Sequence, residues 1–242
     1  MKKKLFILAV IPARGGSKEV PKKNIKKLAG RPLISYTIDV ALNARTLDKV
    51  IVSTDDRRIA KIAKASGVSV PFMRPRYLAQ NTATMESVAQ HAVEMIEKLA
   101  GCKVDIIVLL QPTSPLRIAT DIDRGVRKIL ASKADSVVGV CKLEYLCQPY
   151  LIKSLKGDRI YPYLISKRIY HRRQEMPNLY RLNGALYVVR RDTLMKKGTF
   201  FGKDVRALIM DYTRSIDIDT KLDFKLAEFI LKNIKRGRPK IF

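Results

Sequence analysis

Two aspartates near the carboxyl end of the chain, Asp217 and Asp219, are separated by one isoleucine in Ser215-Ile216-Asp217-Ile218-Asp219. In an extended segment, residues two apart point to the same side. Both carboxylates can therefore meet one hard cation. Mg²⁺ suits such a pair, because it takes one or two protein carboxylates and fills its shell with phosphate oxygens and water. The same residues could instead cap the helix that follows, with Asp219 or Thr220 at the N-cap and Asp223 in the first turn.

Phosphate has a candidate seat at the other end of the chain. Leu5 to Ile11 is an unbroken apolar run that reads as a buried parallel strand. It breaks into Pro12-Ala13-Arg14-Gly15-Gly16-Ser17-Lys18. Two glycines let backbone N–H groups approach an anion. Arg14, Lys18, Lys22 and Lys23 add positive charge around them. In open α/β sheets, ligands bind beyond the carboxyl ends of the strands. A glycine turn that merely carries lysines would look the same. The spacing matches neither G-x-x-x-x-G-K-[ST] nor G-x-G-x-x-G.

A third group sits after Asp105–Leu110, the most apolar strand and one expected mid-sheet. Gln111-Pro112-Thr113-Ser114-Pro115 offers neutral hydrogen-bonding groups on a backbone stiffened by two prolines. That suits a polyhydroxylated ligand, or simply a rigid turn. Arg173, Gln174 and Arg181 follow a Tyr- and Pro-rich stretch. Arginine presents a planar fork to carboxylate or phosphate, although a solvated arginine is the commoner case. Phe200-Phe201 could pack on a ligand or in the core.

These groups need a scaffold. Helices are expected from Pro32 to Ala44, up to Ala65 with Gly67 beyond it, from Thr82 to Leu99, from Asp121 to Leu130, from Asp192 to Lys196 and from Lys221 to Lys235. Strands are expected at 50–54, 68–72, 136–140, 185–189 and 207–210. Strand–helix alternation means βαβ units and a mostly parallel sheet. The pattern fails over 143–183, which reads as an insertion with a hairpin turn at Ser154–Arg159.

The chain has 242 residues, 47% of them apolar, enough for one large α/β domain. Lys2-Lys3-Lys4 followed by a short apolar run lacks a small-residue cleavage site, so a cytosolic enzyme is expected. Cys102, Cys141 and Cys147 show no C-x-x-C spacing, which argues against a disulfide framework or zinc. The net charge of +26 invites a nucleic-acid reading. However, the cations are spread along the chain and Trp is absent, which leaves no stacking platform.

The motifs together resemble the acylneuraminate cytidylyltransferase family. Ala13-Arg14-Gly15-Gly16-Ser17-Lys18 with Pro21-Lys22-Lys23-Asn24 resembles its nucleotide loop, with Glu19 where a glycine is expected. Leu109 to Arg117, Arg181-x-Asn183-Gly184-Ala185-x-Tyr187 and Ser215 to Phe224 match its other motifs, as do Asp55-Asp56 and Arg74. The resemblance implies a Rossmann-like nucleotidyltransferase fold that transfers CMP from CTP to a 2-keto sugar acid and releases pyrophosphate. It implies nucleotide contacts from Ala13, Arg14, Gly15, Ser17, Lys23, Asn24 and Arg74. It implies sugar-acid contacts from Gln111, Arg173, Gln174, Arg181, Tyr187, Phe200 and Phe201, and Mg²⁺ on Asp217 and Asp219. Arg14, Lys18 and Asp219 are the implied catalytic groups. The proton of the attacking hydroxyl falls to an aspartate or to a metal-bound water. The insertion is implied to reach a second subunit of a homodimer. N-acetylneuraminate, legionaminate and pseudaminate are candidate acceptors. The pairing of Q-P-T-S-P with S-I-D-I-D argues against Kdo. A different nucleotide donor is one rival reading, and a non-catalytic nucleic-acid-binding protein is another.

Overall fold

The computed structural model describes residues 4–17, 19–165, 170 and 172–235. Strand β1 (Ile7–Pro12) is followed by the two-residue strands β2 (Lys27–Leu28) and β3 (Arg31–Pro32), helix α1 (Leu33–Leu42), β4 (Lys49–Ser53) and α2 (Arg57–Ala65). Helix α3 (Met85–Ala100), β5 (Ile106–Leu109), α4 (Ala119–Ala131) and β6 (Ser136–Lys142) come next. The hairpin β7 (Lys153–Lys156) and β8 (Arg159–Pro162) precedes β9 (Tyr180–Arg190), α5 (Arg191–Lys197), β10 (Val205–Ile209) and α6 (Lys221–Lys235).

The main sheet has six strands in the order β10-β6-β9-β5-β1-β4. All six residues of β1 are buried, as a strand covered on both faces requires. Ile7, Ala9 and Ile11 pack with α1, α2 and α4. Leu8 and Val10 pack on the opposite face with α3 and Leu194 of α5. A smaller cluster gathers Leu28, Leu33, Ile216 and Ile218 under α6. The crossover from β1 to β4 runs through α1 on one face, and the return to β5 runs through α3 on the other. The switch point between β1 and β5 is where a ligand crevice opens in such sheets.

Three expectations need correction. The strand expected at 68–72 is reduced to isolated bridges, Ile51 with Ser69 and Thr54 with Met73. Pro71 lacks the N–H that a ladder needs. Strand β9 runs antiparallel to both β5 and β6. It already begins at Tyr180, so Arg181 and Asn183 stand on the main sheet rather than in the insertion. Helix α3 starts at Met85, because the Thr84 hydroxyl accepts from the Ser87 N–H at 3.1 Å and caps it there. Among the described residues, no helix is long and apolar enough to cross a membrane.

Candidate active site

A cleft of about 520 Å³ opens at the carboxyl ends of β1 and β5. Arg14, Ser17, Lys23 and Asn24 reach it from the first loop, Gln111 from the end of β5, and Asp217 and Asp219 from the segment before α6. Arg74 also borders it. Lys18 lies outside the described residues.

The loop is built by local hydrogen bonds. Ala13 is buried, and its N–H donates to the Ser53 carbonyl at 3.0 Å. The Asn24 amide donates to the Arg14 carbonyl at 2.9 Å, which closes the loop. Among the described residues the Arg14 guanidinium makes one hydrogen bond, a long one of 3.4 Å to the Gln80 carbonyl, which leaves it able to turn to an anion. The Gly15 amide is already used: it donates to Asp55 Oδ1 at 3.0 Å. A Cβ on Gly15 would stand 2.7 Å from Asp56 Oδ2, so this glycine is required for close packing. Asp56 caps α2 by accepting from the Arg58 N–H. The side-chain hydrogen bond from Arg58 holds the Asp56 carboxyl below the usual range. Asp55-Asp56 is therefore a scaffold for the loop.

Asp217 and Asp219 both face the cleft, while Ile216 and Ile218 between and before them turn into the core. The two-residue alternation is the one an extended segment imposes. Asp217 Oδ1 is buried and has no hydrogen-bond partner among the described residues. Burial pushes the Asp217 pKa up, against the Thr113 hydroxyl bond, and the Asp219 charge pushes it further. Asp219 is 78% exposed, with Oδ1 3.4 Å from Lys23 Nζ, and Lys23 also donates to the Ile218 carbonyl. The helix cap is made elsewhere: Asp223 Oδ2 accepts from the Thr220 N–H at 2.7 Å, and Thr220 Oγ1 accepts from the Asp223 N–H at 3.2 Å. That leaves both cleft carboxylates out of the helix cap. A buried acceptor without a partner is costly, and a cation is the group that would satisfy it. Among the described residues there is no cluster of three acidic, His or Cys side chains to cage a metal. Two hard carboxylate oxygens facing one cleft are a donor set that fits Mg²⁺, which completes its shell with ligand oxygens.

On the β5–β9 side, Gly184 has φ +68°, and a Cβ there would meet Asp217 Oδ2 at 2.6 Å and Gln111 Oε1 at 3.3 Å. Arg117 is buried and ties the two strand ends together through the carbonyls of Ala185 and Gln111. Burial brings its pKa down to about 10.

A family model described as "Cytidylyltransferase" matches residues 8–236. The chain belongs to that family. Within it the relatives are acylneuraminate-type enzymes. The chain is 36% identical over 232 residues to CMP-N,N'-diacetyllegionaminic acid synthase of Legionella pneumophila, covering 93% of this chain and 96% of the relative. It is 33% identical over 236 residues to N-acylneuraminate cytidylyltransferase of Escherichia coli, covering 97% of this chain and 54% of that one. The solved CMP:2-keto-3-deoxy-manno-octonic acid synthetase complexed with CTP superposes with a TM-score of 0.68 at 18% identity, over 95% of this chain and 99% of that chain. That likeness shows the nucleotidyltransferase fold. Membership makes the chain a nucleotidyltransferase, which sets aside the non-catalytic nucleic-acid reading.

The other residues expected in this cytidylyltransferase's site fall in different places. Arg74 is committed to structure: it donates to Ser53 Oγ at 3.1 Å and to the carbonyls of Ser53 and Leu78. Burial holds its pKa down at about 10. Tyr187 packs against Phe200 at 5.5 Å and Phe201 at 6.3 Å between ring centroids. Phe200 is a core residue, so only Phe201, 42% exposed, offers a free face. Burial pushes the Tyr187 hydroxyl up, and the Asp217 and Glu86 charges add to it. Arg181 lies over the Tyr212 ring at 5.9 Å, and its charge is felt at Asp217. Arg173 and Gln174 sit in an exposed turn, Arg173–Glu175, with Arg173 over the Tyr145 ring; neither lines the cleft. The approach to α3 was missed as a wall. Gln80, Asn81, Ala83, Met85 and Val88 all line the cleft. The available signal was the N-cap at Thr84, which aims the start of a helix at the sheet's ligand end.

Proposed function

We propose that this chain transfers CMP from CTP to the anomeric hydroxyl of a nine-carbon 2-keto sugar acid, N-acetylneuraminate or a legionaminate- or pseudaminate-type relative, and releases pyrophosphate. The observation that carries this reading is the unpartnered Asp217 carboxylate oxygen, set between the basic loop and Gln111. The bond that forms joins the anomeric oxygen to the α-phosphorus. The bonds that break are the one joining that phosphorus to the oxygen bridging to the β-phosphate and the hydroxyl O–H, whose proton passes to a cleft aspartate or to water. Arg14, Lys18 and Lys23 hold the triphosphate and stabilise the charge that moves onto pyrophosphate. Gln111 and Arg181 orient the acceptor, and Phe201 packs on its acyl group. Asp217 and Asp219 would hold Mg²⁺, which would supply neutralisation of phosphate charge.

The family name and the relatives' printed names support CTP and a sugar acid, and they divide among legionaminic, pseudaminic and N-acylneuraminic acids. On the same reading the enzyme works in the cytoplasm as a homodimer. The β7–β8 hairpin, with Leu155, Ile160 and nearby Tyr163 all largely exposed, is the surface that meets the second copy. The deciding experiment is pyrophosphate release with each of four nucleoside triphosphates against the three acids. CTP with one of them should dominate. Equal turnover with UTP or ATP refutes the donor, and no turnover with any acid refutes the acceptor.

A further inference from the structure

Asp217 is carried by a segment that no ladder fixes. Between β10 and α6 the chain is irregular apart from a single turn, Thr213–Ser215. Contacts from outside hold it, among them the Lys23 ammonium on the Ile218 carbonyl and the Met210 N–H on the Val140 carbonyl at 2.8 Å. The Asn183 amide donates to Ser215 Oγ at 3.0 Å, and the Ile218 N–H donates to the Thr113 carbonyl at 2.8 Å. Another is an ion pair: Arg214 Nη1 donates to both carboxylate oxygens of Asp121 at 2.7 Å.

The Thr113 and Lys23 contacts come from the turn after β5 and from the first loop, which line the cleft themselves, whereas the Asn183 contact comes from β9, which does not. The ion pair comes from α4, which likewise contributes nothing to the cleft lining. The Asp121 side chain is fully buried. Its Oδ2 also accepts from the Ile118 N–H at 3.2 Å, back across the first turn of α4. Capping α4 needs only that bond, so the arginine is additional. A fully buried carboxylate is costly unless it is well paired, and among the described residues Arg214 is the nearer of its two ion-pair partners, Arg124 Nη1 standing 3.7 Å from Asp121 Oδ1. Arg214 is three residues from Asp217. Buried Arg117 feels the charges of both Asp121 and Asp217, and it donates to the Gln111 carbonyl at 2.8 Å. The ionic cluster thus touches the backbone on both sides of the cleft.

We propose that Arg214 and Asp121 are a positioning pair that sets where the Asp217 carboxylate stands in the cleft. The inference rests on the reading of Asp217 as a metal carboxylate. Outer-shell partners of this kind cost about 10- to 100-fold in metal affinity when removed.

The test uses Mn²⁺ as the probe, with the full chain and CTP but no acceptor, and reads free Mn²⁺ by paramagnetic resonance. Thermal melting without metal is recorded on the same samples. Arg214→Gln and Asp121→Asn should each weaken Mn²⁺ binding roughly tenfold. The double variant should be no weaker than the worse single one, because the two residues act as a unit. Arg214→Lys, which keeps the charge and is the milder change for folding, should recover most of the affinity. Mn²⁺ binding close to that of the parent in Arg214→Gln, alongside a lowered melting temperature, would make the pair merely structural and overturn the inference. Multiplying losses in the double variant would overturn it too. Asp217→Asn is the reference: if it binds Mn²⁺ normally, the metal reading fails and takes this inference with it. If Asp217→Asn is impaired and Arg214→Gln is not, only the positioning role fails.

Discussion

Gly184→Ala separates the backbone cost of a residue from its effect on the site. Gly184 has φ +68°, a left-handed conformation that costs an L-residue about 1–2 kcal/mol. For a chain of this length that corresponds to a fall in melting temperature of roughly 2–8 °C. The second effect is local. The new Cβ would lie 2.6 Å from Asp217 Oδ2, whereas ordinary contact begins at 3.4 Å. The carboxylate must therefore retreat by about 0.8 Å, and Gln111 Oε1, at 3.3 Å, is also pressed. A misplacement of about 1 Å at a reacting centre can cost about a hundredfold. The expected result is a loss of kcat/KM near two orders of magnitude, read by pyrophosphate release, with the protein still folded at the assay temperature. Gly101→Ala is the control. Gly101 has φ +63° with nothing within 4 Å of its Cβ position, at the C-cap of α3. It should show a comparable loss of stability and a rate near that of the parent. If Gly184→Ala keeps its rate while its melting temperature falls, Asp217 is not at the reacting centre. If Gly101→Ala loses activity in parallel, the effect is global and the steric argument fails.

Arg14→Ala should lower kcat/KM by roughly two orders of magnitude, the scale of losing one transition-state donor. It should leave the melting temperature unchanged, because its one long bond to Gln80 holds little; an intact rate counts against its role. Asp219→Asn should raise the Mg²⁺ needed for half-maximal rate without loss of stability, since Thr220 and Asp223 make the helix cap. An unchanged Mg²⁺ requirement removes Asp219 from the ligand set. Glu97 accepts two bonds from Arg191, at 2.7 and 2.8 Å, and the Arg191 hydrogen bond holds its carboxyl below the usual range. A depressed folded-state pKa gives stability that is present above the ordinary carboxylate range and is lost as pH falls through the folded value. Glu97→Gln should therefore melt lower than the parent at neutral pH, and the gap should close on acidification. A gap that persists undiminished in strong acid refutes the ion pair as its source.

Much of the site was legible in the sequence because its signals are local. Glycines after an apolar run, prolines around Gln111, and two aspartates flanking an isoleucine each state a geometry within a few residues. The alternation of Ile216 and Ile218 with Asp217 and Asp219 needed no tertiary knowledge to place both carboxylates on one side. The sheet was legible for the same reason, since buried strands and amphipathic helices alternate along most of the chain.

What stayed hidden depends on partners far along the chain. An arginine in a motif reads the same whether it faces a ligand or, like Arg74, spends its donors on Ser53 and Leu78. Two adjacent phenylalanines give no sign that Phe200 is core and Phe201 is free until β9 lies beside them. Nothing near Gly15 says that its amide belongs to Asp55, forty residues on. The pairing of Asp121 with Arg214 joins residues 93 apart. Sequence spacing determined which side chains could do chemistry. Tertiary packing alone decided which of them have donors and acceptors left over to do it, because a hydrogen-bonding group buried against a distant strand is no longer available to a ligand.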